Sequence, residues 1–123
     1  AGGIFIHFLG GRMKVNVLGM KYKIIIATEE EKPKLKQCDG YMDHSTKEII
    51  VGKFEPDPTS IEDLEVYTKK VMRHEIIHAF LYESGLWNCS GNIKRWGQSE
   101  EVTDWIAIQF PKMMQAFQEA GCL

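Results

Sequence analysis

No apolar run in the 123-residue chain approaches the roughly 20 residues a transmembrane helix needs. The nearest, Ile4–Leu9 ("IFIHFL"), is too short, and it has neither the basic start nor the small-residue cleavage site of a secretory signal. No membrane association is expected. The three cysteines, Cys38, Cys89 and Cys122, form no CxxC pair, which argues against a zinc ribbon and a dense disulfide framework and fits a reducing cytoplasm. A formal charge of -2 leaves no broad basic surface, and Lys94, Arg95 and Lys112 are too sparse to suggest nucleic acid as a partner. Repeats and low-complexity tracts are also missing. What remains, 44% hydrophobic and 26% charged, is an ordinary globular composition with room for one domain and one core.

Two readings of residues 1–12 stand side by side: an extension that is not native, ending in Gly10-Gly11-Arg12 just before Met13, or a genuine extra strand. From Met13 onward the pattern is clearer. Lys14–Ala27, "KVNVLGMKYKIIIA", alternates apolar and polar residues around Gly19-Met20, which predicts an antiparallel hairpin. "TEEEKPKLK" reads as a solvated loop. A second hairpin is expected in "GYMDHSTKEIIV", with Asp43–Thr46 as its turn and Ile49–Val51 as a β-branched strand. After "EPDPTS", Thr59 or Ser60 should cap a long helix with Glu62 and Asp63 in its first turn, running to about Glu83 and stopping at Gly85. "GLWNCSGNIKRWG" reads as a loop. Ser99 can cap a second helix, which Pro111 should kink or split. Strands first and helices after make an α+β plan, with an N-terminal antiparallel sheet.

The first helix carries "RHEIIHAF", with His74, Glu75 and His78 in an otherwise apolar stretch. Four residues apart, the two histidines project within about 40° of each other and one turn apart, so both can reach one ion. Tyr67, Val71, Leu64 and Leu81 share their side, and Ile76 and Phe80 form a second apolar strip, so the helix is expected to be buried on more than one face. A single such histidine is more simply a neutral core residue bonded to backbone. Two, with a glutamate between, must all find partners in a low-dielectric interior, and a divalent cation satisfies them together. HExxH supplies two imidazole nitrogens to zinc and a carboxylate, Glu75, placed to take a proton from water.

A third ligand is required, and Glu100, Glu101, Asp104, a cysteine, His7 and His44 are available. Taking Glu100 as zero on a helical wheel, Val102, Ile106, Phe110, Met113 and Phe117 fall at about 200–280°, and Met114 and Ala107 at about 320–340°. That is the expected buried face. Glu100 and Asp104 lie on its rim, whereas Glu101 points away, which favours Glu100 as the ligand and leaves Glu101 a solvated first-turn charge.

"HEIIH" followed by a second helix bearing Glu-x-x-x-Asp resembles the gluzincin branch of zinc metallopeptidases, the thermolysin-like clan. The layout over about residues 40–110 also resembles small phage and prophage proteins and, more distantly, ImmA/IrrE-type and minigluzincin peptidases. The resemblance implies a zincin-like fold for residues 13–123, Zn2+ held by His74, His78 and Glu100, Glu75 as general base, and Asp104 orienting one of the ligating histidines. Larger gluzincins bring a tyrosine or histidine from beyond the glutamate helix to the oxyanion, and this chain has neither after Glu100. Tyr41, His44, Tyr82 and Arg95 are the remaining donors. The expectation is a small cytoplasmic, phage-encoded zinc metallopeptidase, narrow in specificity or latent, acting on a peptide or protein substrate. The alternative is a non-catalytic module that uses zinc to lock two helices and grip a peptide or protein.

Overall fold

The structure is a computed structural model that describes residues 12–58, 63–91 and 95–123. Its order is β1 (Arg12–Val17), β2 (Met20–Ala27), a 3-10 turn (Pro33–Lys36), β3 (Gly40–Asp43), β4 (Glu48–Gly52), α1 (Leu64–Glu83), α2 (Leu86–Cys89), a second 3-10 turn (Trp96–Gln98) and α3 (Glu100–Ala120). The α+β plan holds, with the sheet first and the helices after. Ile4–Leu9 and His7 lie outside the described residues.

The sheet departs from the antiparallel expectation. Its order is β1-β2-β4-β3, and β4 runs parallel to β2 with Ile24 opposite Ile49 and Ile26 opposite Val51. The physical reason is the composition of β4. Ile49, Ile50 and Val51 are all fully buried, which requires cover on both faces and places this strand in the middle of the sheet. The segment from Thr28 to Asp39 therefore carries the chain past that central place to lay "GYMD" on the outer edge, and β4 returns between β2 and β3.

One face of the sheet, with Tyr22, Ile24, Ile49 and Val51, packs on Val71 and Ala79 of α1, with Met42, Tyr67 and Ile76 alongside. On the other face Leu35 of the first 3-10 turn covers Ala27 and Ile50, with Ile25 and Tyr41 alongside.

The first turn falls one residue earlier than expected, at Leu18-Gly19, both with positive φ (52° and 93°), and Asn16 Oδ1 accepts the Gly19 N–H at 2.7 Å. In this register Val17 pairs with Met20, and both Val17 and Tyr22 are buried. The second turn is as expected, closed by Asp43 Oδ1 accepting from Ser45 and Thr46.

Helix α1 begins later than predicted. Asp63 is its cap, accepting from the N–H groups of Glu65 and Val66, while Thr59, Ser60 and Glu62 lie outside the described residues. Its C-terminal end matches, with Gly85 left-handed at φ 87°. The second apolar strip is only partly covered: Ile76 packs on the core but Phe80 is exposed. The stretch read as a loop contains α2 and the second 3-10 turn. Gly97 is essential there, since a Cβ would sit 2.6 Å from Leu86 O and 2.7 Å from Ser90 Oγ.

Helix α3 is continuous through Pro111, contrary to the expected split. Proline removes the N–H that would bond the Ala107 carbonyl. That carbonyl instead accepts the Arg73 Nε–H at 2.6 Å, so α1 replaces the missing bond. The docking face of α3 also differs from the helical wheel. Ala107 is buried as expected and Thr103 is buried beside it, whereas Val102, Phe110 and Phe117 are exposed. The face is turned toward Glu100. No helix among the described residues is long and apolar enough to cross a membrane.

Candidate metal centre

Helix α1 presents His74 and His78 one turn apart on the side facing α3, and Ser99 starts α3 by capping the Val102 N–H. Glu100 is thereby set at the first position of α3, directly opposite the histidines. His78 Nε2 meets Glu100 Oε1, and His74 Nε2 lies 3.4 Å from the same oxygen. One donor atom from each of His74, His78 and Glu100 lies within 4.8 Å of the other two. Two imidazoles and a carboxylate are donors that suit zinc, whose tetrahedral ligands stand about 3.3–3.6 Å apart; His74 and Glu100 have that separation, and the closer His78–Glu100 contact would open to admit an ion. The histidine side chains are 14% and 8% exposed and that of Glu100 is 74% exposed, so the group is anchored in the core and opens toward solvent on the glutamate side.

Of the other candidates for the third ligand, Asp104 has a different partner. Its Oδ1 bonds His74 Nδ1 at 3.0 Å and also Lys70 Nζ at 3.0 Å. The Lys70 and His74 bonds hold its carboxyl below the ordinary value. It is thus His74 that Asp104 orients. His78 Nδ1 is a buried nitrogen with no hydrogen-bond partner. Glu101 is exposed, as are Cys89 and Cys122, and Cys38 is half-buried in the cleft wall; the convergent set contains none of them.

Glu75 is only 7% exposed and its carboxyl is pushed up to about 8, first by burial and then by the Glu100 charge, with Lys70 acting in the opposite sense. Burial likewise holds His78 below its ordinary value, although Glu100 works against it. Glu75 sits where β3 approaches α1. A Cβ on Gly40 would be 2.8 Å from Ile50 O, 2.9 Å from Val71 Cγ1 and 3.4 Å from Glu75 Cγ, so glycine is what brings this edge strand against the helix.

Two pockets flank the centre and share Cys38, Gly40, Glu75 and Glu100. One, of about 170 Å³, adds Asp39, Tyr67, Lys70, His74 and Asp104; the other, of about 300 Å³, adds Tyr41, Met42, His78, Trp87 and Gln98. Among the expected oxyanion donors, Tyr41 lines the second pocket. His44 is exposed and stacks on Tyr82 at 4.3 Å, and Arg95 is an exposed residue with φ 52° before the second 3-10 turn; none of these three lines either pocket.

Sequence reasoning missed Lys70 and Gly40. Lys70 is one turn before His74, a spacing that could have exposed it. The contact of Gly40 with α1 depends on which strand is the edge, and no local pattern reports that. Comparison of the chain with protein-family models, with curated proteins and with solved structures gives no match.

Proposed function

We propose that the chain is a zinc-dependent metallopeptidase with a zincin-like fold, working in the cytoplasm on a peptide or protein substrate. The observation that carries this reading is the convergence of His74, His78 and Glu100 beside the buried carboxyl of Glu75, in a cleft bordered by an edge strand. A zinc ion held by these three donors supplies Lewis acidity, polarising the scissile carbonyl and lowering the pKa of water. Glu75 takes the proton of the attacking water and returns it to the leaving amine. Its burial makes it a stronger proton acceptor than an exposed glutamate. Asp104 fixes the His74 ring so that Nε2 faces Glu100, and Lys70 holds Asp104 ionised. Among the described residues β3 has a single strand neighbour, and its outer edge is where an extended substrate backbone would pair.

Elemental analysis of purified protein should give one zinc per chain, lost in His74→Ala. Glu75→Gln should keep the zinc and the melting temperature while abolishing cleavage of a diverse peptide mixture read by mass spectrometry. An absence of zinc after soaking would sink the proposal. Stoichiometric zinc with no cleavage under any condition would leave the zinc-stabilised binding module as the function.

A further inference from the structure

The two pockets beside the centre differ in chemistry, and their order along β3 is fixed. Gly40 lies against Val71 and Glu75, Met42 shares a pocket with Glu75 and His78, and His44, beyond the end of the strand, stacks on Tyr82 one turn after His78. β3 therefore runs alongside α1 in the same direction. The pocket at its Gly40 end is charged, with Asp39, Lys70 and Asp104. The pocket at its Met42 end is larger and walled by Met42 and the Trp87 ring, whose centroid is 5.6 Å from that of His78. The Trp87 backbone is anchored beside it, since its carbonyl accepts Gln98 Nε2–H at 2.9 Å. Outside the pocket, the Tyr82 ring lies 6.4 Å from that of Trp87 and stacks on His44.

An extended peptide pairs with an edge strand best in the antiparallel sense. Laid along β3 that way, it enters at the Met42 end and leaves at the Gly40 end. Its N-terminal part then lies on the aromatic side and its C-terminal part on the charged side. We propose that the pocket of Met42 and Trp87 is the specificity pocket and takes a large apolar side chain, such as leucine or phenylalanine, from the residue on the N-terminal side of the scissile bond. This rests on the peptidase reading for the nature of the ligand. Of the pocket's polar lining, Glu75, His78 and Glu100 stand at the candidate metal centre, and Gln98 donates its Nε2–H to the Trp87 carbonyl. Its described lining includes no lysine or arginine, so an acidic side chain finds no counter-ion there.

The test uses zinc-loaded protein and two series of hydroxamate probes, with binding followed by tryptophan fluorescence. In N-acetyl amino-acid hydroxamates the side chain lies on the N-terminal side of the metal-binding group. In malonyl hydroxamate amides of the same amino acids it lies on the C-terminal side. The leucine and phenylalanine members of the first series should bind on the order of 10- to 100-fold more tightly than the glycine and aspartate members, from burial of one large apolar side chain. The second series should show no such preference. Trp87→Ala and, separately, Met42→Ala should collapse the ratio while zinc content stays at one per chain. Calorimetry replaces fluorescence for Trp87→Ala. Equal affinities across the first series, a preference confined to the second, or failure of every hydroxamate to bind the zinc-loaded chain would each overturn the inference. Hydroxamate binding needs the metal and the pocket but not hydrolysis. Selective binding without peptide cleavage upholds the pocket and removes the peptidase reading, and cleavage without apolar selectivity does the reverse.

Discussion

Glu100 and Glu101 are neighbours of the same type, both exposed, and they differ mainly by about 100° of helix rotation. That rotation decides their chemistry. Glu100 reaches both His74 and His78, whereas Glu101 is outside the convergent group. Glu100→Ala should therefore weaken zinc binding by at least the 10- to 100-fold typical of a lost supporting residue, and Glu101→Ala should leave it unchanged. Competition with a chromophoric chelator measures both, and the reverse outcome would mean that α3 docks in a different rotation. A second residue-scale expectation concerns Leu18, a 59% exposed residue held at φ 52° in the first turn. A left-handed conformation costs a side chain of this kind about 1–2 kcal/mol, and Asn-Gly is the pair such a turn prefers. Leu18→Asn should accordingly stabilise the protein by about 1 kcal/mol in urea unfolding, and a lower midpoint would show that the Leu18 side chain has a packing role.

The elements that could be read from the sequence are those whose signals are local. The two hairpins, the stop of α1 at Gly85 and the Ser99 cap of α3 each depend on a few adjacent residues. So does the projection of His74 and His78 from one side of α1. The parallel pairing of β2 with β4 is not local; it follows from burial of Ile49, Ile50 and Val51 on both faces, which a run of three apolar residues suggests without naming the neighbours. The docking face of α3 was misjudged for a related reason. Its largest apolar residues form a stripe, yet Thr103 and Ala107 make the close contact, because small side chains let two helix backbones approach, and the attraction of His74 for Asp104 and Glu100 draws that side inward. Glu100 stands beside the histidines all the same, since it lies near either version of the face. The continuity of α3 has its own testable cause in the Arg73 bond to the carbonyl freed by Pro111. Arg73→Met should destabilise the protein by about 1.5–3 kcal/mol, the range for a hydrogen bond from a charged donor. In a Pro111→Ala background, where residue 111 again has an N–H to offer, the same substitution should cost measurably less. Equal losses in both backgrounds would show that Arg73 acts elsewhere.

At the scale of the whole molecule, the buried groups of the candidate metal centre tie folding to pH with opposed signs. Glu75 has a folded-state pKa of about 8 against an ordinary 4.5, so the native state keeps a proton that the unfolded chain releases. The stability this contributes is complete below about pH 4.5 and is lost as pH rises to about 8. His78 is shifted the other way, below its ordinary 6.5, so its contribution is present above that value and is lost as pH falls through the folded-state pKa. The two trends oppose each other on the acid side, and above about pH 6.5 only the Glu75 loss remains. Chelator-treated protein should therefore lose stability between about pH 6.5 and 8, at up to about 1.4 kcal/mol per pH unit. Glu75→Gln should be flat over the same interval, because the amide has no proton to lose. Bound zinc should reverse the preference, since a cation beside these groups favours the carboxylate and the neutral imidazole together. With zinc in excess, stability should instead rise with its concentration as expected for a ligand that binds only the native state, and the decline toward pH 8 should vanish. Urea unfolding from pH 5.5 to 8.5, with chelator and with zinc, separates these behaviours. A decline of the same slope in Glu75→Gln would place its origin in some other group and remove Glu75 from the account of how burial and metal binding are balanced in this fold.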